Sequence, residues 1–421
     1  MTEPAAQGGT ILVVGGGIAG MTAALEAAEA GHEVFLVEKS ATLGGRVARM
    51  HRYFPKLCPP YCGLEINFKR LRQNERVHVF TLAEVKRVSG QPGDLEVVVE
   101  VAPRLVNDRC TACGDCVAVC PVERPDEGNY GMGTTKAIFR TQTLAHPVRY
   151  TIDPGACPGA TCGKCVPVCQ PHAIDLGATA QAMTLRVGAV VLATGWEPYD
   201  ARKLEGLGFG QYPDVITNVM MERLAASGGP TQGKITRPSD GKPPGHVTFV
   251  QCAGSRDENH LPYCSAVCCL ASLKQATYVR EQLPDATVHM FYIDVRSPGR
   301  FEDFYTKVAA DPKVVLSRGK VARVSDGAGG KLVVEAENTL TGERLKVETD
   351  LVVLATGMQP VRANGLAGEI PRDAMGFARE AGGITVAGCA RRPADVMTTV
   401  QDATGAALHA VQACARRQIH G

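Results

Sequence analysis

Twelve of the sixteen cysteines fall into three sets whose spacing suits a metal centre. Cys110, Cys113, Cys116 and Cys120 follow C-x2-C-x2-C-x3-C and lead into Pro121. That is the run by which bacterial ferredoxins wrap thiolates around a cubane. A second run, Cys157-x4-Cys162-x2-Cys165-x3-Cys169, has a longer first gap and ends in Gln170-Pro171. Paired runs of this type exchange their fourth cysteine. Two [4Fe–4S] clusters are therefore expected, one at Cys110, Cys113, Cys116 and Cys169, the other at Cys157, Cys162, Cys165 and Cys120. Structural zinc also uses C-x2-C, but compact four-cysteine runs closed by proline favour iron and sulfide. The third set, Cys252, Cys264, Cys268 and Cys269, is spaced C-x11-C-x3-C-C and precedes the helical stretch ASLKQATYVREQL. It is expected to hold a third [4Fe–4S] cluster, with structural or redox-active thiols as the other reading. Cys58 and Cys62, separated by Pro59-Pro60-Tyr61, are open between metal ligands and a redox pair.

Glycine spacing points to a dinucleotide. Gly15, Gly17 and Gly20 form G-x-G-x-x-G between the apolar run TILVVGGG and the alanine-rich helix pattern IAGMTAALEAAEAG, and HEVFLVEK then reads as a second strand. In this βαβ context, Gly15 makes the tight turn, Gly17 admits a pyrophosphate, Gly20 permits close helix–strand packing and the helix start with Ile18 and Ala19 faces the phosphates. Glu38, followed by Lys39, ends the second strand and is placed to accept ribose hydroxyls. Gly44, Gly45 and Arg46 follow closely, which resembles two-dinucleotide-domain flavoproteins, where a second glycine pair and an arginine support the FAD diphosphate; the resemblance favours FAD over NAD.

The whole must be positioned by several elements. A chain of 421 residues exceeds one ordinary core. GAVVLATGWEP (188–198) and TDLVVLATGMQP (349–360) repeat one pattern, an apolar strand, Ala-Thr-Gly and a proline. Ala193, Thr194 and Gly195 of the first repeat are candidate flavin contacts. The predicted organisation is α/β. An FAD-binding domain is made of 1–103, 179–244 and 361–421. An inserted ferredoxin-like α+β module spans 104–178, and a second dinucleotide-type domain spans 245–360. The strand at GHVTFVQCAG lacks a glycine fingerprint, which argues against an NAD site there.

Charge excludes little except a large electrostatic footprint. There are 45 Lys+Arg against 43 Asp+Glu, a net charge of +2, so nucleic acid is not an expected partner. The N-terminal stretch lacks the basic and apolar segments of a secretory leader, and no apolar run approaches the roughly 20 residues of a membrane helix. A cytoplasmic location is expected, with membrane contact only through partners. Clustered thiols also suit a reducing compartment better as metal ligands than as disulfides.

The ATG strands resemble those closing the two domains of pyridine nucleotide-disulfide oxidoreductases, a thioredoxin reductase-like two-dinucleotide-binding-domain flavoprotein fold. In that superfamily a late strand ends Gly-Asp, the Asp binding the flavin ribitol. Here the stretch GGITVAGCARRPADVMTTVQDATGAALHA places Gly388-Cys389 there, and Val400 begins the stretch of amides expected near the isoalloxazine. Together with LGGR, FPKLCPPYCGLEIN and the cysteine sets, the sequence resembles the A subunit of heterodisulfide reductase, and within that family the A subunit of the quinone-interacting membrane-bound oxidoreductase complex. The resemblance implies an FAD and iron–sulfur electron-transfer subunit in sulfur metabolism. Its implied partners are a related flavin and iron–sulfur B subunit, a membrane C subunit carrying haem, and adenylylsulfate reductase, with electrons passing between the latter and the quinone pool. A sulfur-oxidising heterodisulfide reductase-like complex, an NAD(P)H:ferredoxin-type oxidoreductase and a non-catalytic scaffold are the alternative readings.

Overall fold

The computed structural model describes residues 9–362 and 370–420, without the side chains of 416–420. The polar arm at 1–8, read above for a leader, lies outside them. The chain forms two compact units, 1–196 with 360–421, and 197–359.

In the first unit β1 (Ile11–Val14) runs into α1 (Ile18–Glu29) and β2 (Val34–Glu38). All four residues of β1 are buried, without the alternation of a half-solvated strand, because a parallel strand is covered on both faces. After α2 (Tyr61–Gln73) come β3 (Val77–Thr81), β4 (Ala83–Gln91) and β5 (Asp94–Val101). The segment that follows contains only short elements: α3 (Asp115–Ala118), β6 (Glu123–Pro125), β7 (Thr134–Lys136), β8 (Ile138–Phe139), β9 (Thr151–Ile152) and α4 (Cys165–Val168). Regular structure resumes with β10 (Gln181–Val187) and β11 (Ala189–Leu192), and β12 (Trp196–Pro198) carries the chain onward.

The second unit opens with β13 (Val215–Thr217) and α5 (Asn218–Ala225), then β14 (His246–Ala253), α6 (Cys268–Gln282), β15 (Thr287–Tyr292), α7 (Phe301–Ala309) and β16 (Val314–Arg318). Three strands, β17 (Val321–Asp326), β18 (Leu332–Glu337) and β19 (Arg344–Thr349), precede β20 (Leu351–Thr356) and β21 (Met358–Pro360). The chain then supplies β22 (Ile384–Val386) and α8 (Val396–His420) to the first unit.

Each unit repeats one plan. A five-stranded parallel sheet, ordered β22-β11-β1-β2-β3 in the first and β13-β20-β14-β15-β16 in the second, is accompanied by an antiparallel three-stranded sheet, β10-β5-β4 and β17-β18-β19 respectively. In the first unit α1, α2 and α8 cover one face, with Met21, Leu25, Leu64, Phe68 and Ala407 in the core. The other face packs Leu12, Val190 and Leu192 against Val97, Val99 and Leu185 of the three-stranded sheet. Residues 197–244, expected with the first domain, lie in the second unit. The reason is β13, whose Val215–Thr217 pairs in parallel with Val352–Leu354 and extends the second sheet.

The segment between β5 and β10 is inserted where those strands pair, Val101 opposite Gln181. It has its own small core of Val106, Ile138, Ile152, Ala173 and Ile174, with Cys116 and Cys169 among them. The segment is tied to the parallel-sheet part of its unit at the loop after β2. Leu43 N donates to His146 O (2.7 Å), Gln142 Nε2 to Leu43 O (2.9 Å), and Thr42 and Thr141 share a hydroxyl–hydroxyl bond. Arg149, buried, pairs with Asp108 and donates to Thr81 Oγ1 at 2.7 Å. Among the described residues no helix is long and apolar enough to cross a membrane.

Candidate functional site

The first candidate site is the turn between β1 and α1. Gly15 has φ +110°, and a Cβ there would lie 2.3 Å from Ala193 O. A Cβ on Gly20 would lie 1.7 Å from Gly15 O, so α1 approaches the turn as closely as backbone allows. Gly17 and Gly45 face each other as bare backbone: a Cβ on Gly45 would come within 2.9 Å of Gly17 Cα. These are the features of a cradle shaped for a diphosphate. Ile18 and Ala19 begin α1 beneath it. Replacing Gly20 with alanine is expected to overpack the turn by about 1–3 kcal/mol, and since about 1.4 kcal/mol is tenfold in affinity, flavin absorbance per purified chain should drop sharply. An unchanged flavin content would mean that the turn does not hold the cofactor.

Glu38 caps the same turn from β2. Its Oε2 accepts from Gly16 N at 2.6 Å and its Oε1 from Ser40 N at 2.7 Å, while Lys39 beside it is exposed. Thr194, between Ala193 and Gly195, has a buried hydroxyl with no hydrogen-bond partner among the described residues. A polar atom so placed is a fit for a ligand rather than for packing. Gly44 has φ +106°. Arg46 donates from Nε to Trp196 O (2.5 Å) and from Nη1 to Tyr130 Oη (3.0 Å), and its guanidinium lies 4.8 Å from the centre of the Trp196 ring. The arginine assigned above to a diphosphate thus also fastens the inserted segment, through Tyr130, to the loop after β2.

At the β22 end, Gly388 has φ +63° and its N–H is accepted by Asp402 Oδ2 at 2.7 Å. Cys389 turns inward and donates to Ala394 O, and burial pushes its thiol up to about 11. Asp402 went unnoticed in the sequence. The only signal was a single acid in the stretch VMTTVQDATGAALHA, in the second turn of the helix that follows the Gly-Cys pair. Val400 is half-buried in the opening turns of α8, which Asp395 caps by accepting from Thr398 N at 2.7 Å.

The inserted segment places its cysteines around two cavities. Cys110, Cys113, Cys116 and Cys169 line one, closed by Val106, Tyr150 and Ile174. Cys157, Cys162, Cys165 and Cys120 line the other, with Ile138 and Ile152 on its wall. The linings are crossed: the last cysteine of each run stands with the first three of the other. Burial, then Cys110 and Cys113, push Cys116 up to about 12, with a smaller push from Cys165 of the other group, and Cys165 is raised by burial and by Cys157, Cys120 and Cys162. Thiols gathered in an apolar setting resist ionisation until a cation joins them, which is the service a metal centre performs. Among the described residues no three His, Cys, Asp or Glu side chains converge as ligands of one ion would. A cubane asks for a wider ring, since each thiolate binds a different iron.

The third set sits in the second unit at the end of β14 and the start of α6. Cys252 takes a left-handed φ of +55°. Cys268 and Cys269 are buried in the first turn of α6, donating weakly to Thr356 O (3.8 Å) and Asp294 O (3.6 Å), and Cys264 Sγ accepts from Ala266 N at 3.3 Å. Burial raises Cys268 well above its ordinary value, with Cys252, Cys269 and Cys264 adding to it, and Cys252 is pushed up to about 11. All four therefore sense one another. Arg256 and Arg296, both near these thiols, are held by Asp294 at 2.5 and 3.5 Å.

Residues 10–90, from β1 to the end of β4, match the FAD dependent oxidoreductase family. One of the iron-sulfur A subunits of CoB–CoM heterodisulfide reductase from Methanopyrus kandleri is 40% identical over 95% of this chain and 63% of its own length. Along nearly its whole length, the chain is similar to the A subunit of heterodisulfide reductase. The corresponding protein of Methanocaldococcus jannaschii agrees, at 39% identity over 94% of this chain and 63% of the relative. The chain thus spans under two thirds of the length of these heterodisulfide reductase relatives. In fold it matches Lactococcus lactis thioredoxin reductase, with a TM-score of 0.54 at 14% identity, covering 97% of this chain and 99% of that one. The two-dinucleotide-binding flavoprotein fold is the one the repeated ATG strands implied.

Proposed function

We propose that the chain is an FAD and iron–sulfur electron-transfer subunit of a multi-subunit oxidoreductase of heterodisulfide reductase type. The observation that carries this reading is the crossed lining of two cavities by eight cysteines, in a segment bonded to the loop that flanks the dinucleotide cradle. Flavin, when bound, interconverts two-electron and one-electron chemistry, and cubane clusters supply one-electron steps. Gly15, Gly17, Gly20, Gly45 and Glu38 would hold and orient the dinucleotide. The eight cysteines of the inserted segment would hold two [4Fe–4S] clusters, and Cys252, Cys264, Cys268 and Cys269 a third. The end of β14 carries Cys252 and no glycine fingerprint, which supports a cluster over a nicotinamide in the second unit.

In the finer reading the protein serves sulfur metabolism, between the quinone pool and adenylylsulfate reductase, and its partners are a related B subunit together with a haem-carrying membrane C subunit. Support for it is the wording FPKLC-x3-CGLEIN.

Iron, acid-labile sulfide and flavin measured on anaerobically purified protein test the proposal. About 12 irons per FAD are expected, four per cluster. About 8 would confine clusters to the inserted segment, and zinc in place of iron would overturn the electron-transfer reading. Cys268→Ala should bring 12 to about 8 and alter flavin reduction kinetics.

A further inference from the structure

Four cysteines lie outside the three sets. Cys389 and Cys414 are buried, donate to Ala394 O and Thr10 O, and are each pushed up to about 11 by burial. Cys58 and Cys62 differ in exposure. Cys62 is exposed and Cys58 half-exposed, and the Cys58 thiol lies close enough to act on Cys62.

The backbone around them is built to make that meeting. Tyr53 and Cys58 form an antiparallel bridge, Tyr53 N donating to Cys58 O at 3.2 Å. Leu57, at φ +53°, turns the chain back on itself. Pro59-Pro60 then starts α2, and Cys62 N donates to Pro59 O at 3.2 Å, which sets Cys62 in the first turn of the helix. The Tyr53 hydroxyl lies beside Cys58. It rests where a side chain at 63 would stand, since a Cβ on Gly63 would be 2.5 Å from the Tyr53 oxygen. Glycine at 63 therefore admits the phenol to the pair. Proline at 59 and 60 fixes the turn before the helix and limits the ways the two thiols can separate.

We propose that Cys58 and Cys62 form a reversible dithiol–disulfide site on the first unit, which exchanges with the disulfide of a small thiol. Cys62, the exposed sulfur, attacks one sulfur of the disulfide R–S–S–R as thiolate. The first RS⁻ leaves and takes up the proton that Cys62 gave up. Cys58 then attacks the Cys62 sulfur of the mixed disulfide, and the second RS⁻ leaves with the proton from Cys58. The dithiol loses two electrons and two protons, and the disulfide gains both as two thiols. Tyr53 is a positioning residue that holds Cys58 toward Cys62. Desolvation, then the Cys58 thiol, hold Cys62 above the ordinary thiol range, against the charge of Lys56. Cys62 is therefore protonated near neutral pH, and exchange quickens as pH rises. This site shares no cysteine with the cluster sets and does not depend on them.

The experiment uses the full chain as purified anaerobically, incubated with glutathione disulfide, alkylated and digested with trypsin. Both thiols fall in one peptide, LCPPYCGLEINFK (57–69). That peptide should resist alkylation and carry an internal disulfide, reversed by a dithiol reductant. Cys58→Ser should trap a stable glutathionyl adduct on Cys62. Cys62→Ser should react at least about tenfold more slowly, and Tyr53→Phe should form the adduct at an unchanged rate but resolve it more slowly. The proposal is overturned if the wild-type peptide stays fully alkylated, or if both sulfurs carry glutathione without an internal bond. It is overturned equally if Cys58→Ser with Cys62→Ser lowers iron or flavin per chain, since the pair would then be cofactor ligands.

Discussion

Replacing Cys169 with serine removes about four of 12 irons per flavin, and so does replacing Cys110, yet the two changes together remove no more than either alone. The expectation follows from the shared cavity, in which Cys169 stands with Cys110, Cys113 and Cys116 although it closes the other run. Cys120→Ser also removes about four irons, from the other cavity. The combination of Cys120→Ser with Cys169→Ser then removes about eight, because changes at separate sites add and changes at one site do not. Iron per flavin, supported by the electron paramagnetic resonance of each reduced variant, reads the pattern directly. If Cys110→Ser and Cys120→Ser fail to add, each run serves its own cluster and the crossed assignment is wrong. The site itself argues against that result. Ala173 N donates to Cys169 Sγ at 3.3 Å, and Cys169 is buried within the inserted core, where it cannot swing to a cluster elsewhere without breaking that packing.

How far the sequence disclosed these sites depends on the range of the contacts that make them. The cradle between β1 and α1 was legible because its residues are neighbours in sequence: a tight turn needs glycine at 15, and helix packing needs it at 20. The ATG strands were legible because parallel strands buried on both faces become uninterrupted apolar runs. Cysteine grouping could be read since cluster spacing is a local constraint, and the exchange of the fourth cysteine follows from how two such loops stack. The long-range closures were not legible. Arg46 meets Tyr130 and Trp196, 84 and 150 residues away, and no local pattern marks such a pair. Asp402 serves Gly388 N from a helix on which no local pattern singles it out. Residues 197–244 carry few periodic signals, so the short strand β13 that commits them to the second sheet was invisible before the pairing was seen.

The largest expected loss of stability lies away from the cofactor sites, in the second unit, at Lys274. This lysine on α6 is 3.0 Å from Glu222 Oε1 on α5, with both side chains nearly excluded from water. Glu222 is held further by Gln275 Nε2 at 2.8 Å, which also donates to Asn218 O, and by Tyr278 Oη at 3.4 Å. The ammonium sits 5.7 Å from the Tyr278 ring centre. Lys274→Met takes the ammonium away from a buried carboxylate, which costs about 3–5 kcal/mol, whereas an apolar replacement of both partners is close to neutral. Chemical denaturation of the full chain should therefore show a deep loss for Lys274→Met and for Glu222→Leu singly, with most of it restored in the double variant. Equal losses that add in the double variant would mean that the two side chains act through packing, and the charge pair contributes nothing of its own. Because Gln275 would still pair with Asn218 in the double variant, the polar seam between α5 and α6 keeps one anchor, which is why recovery rather than further loss is expected.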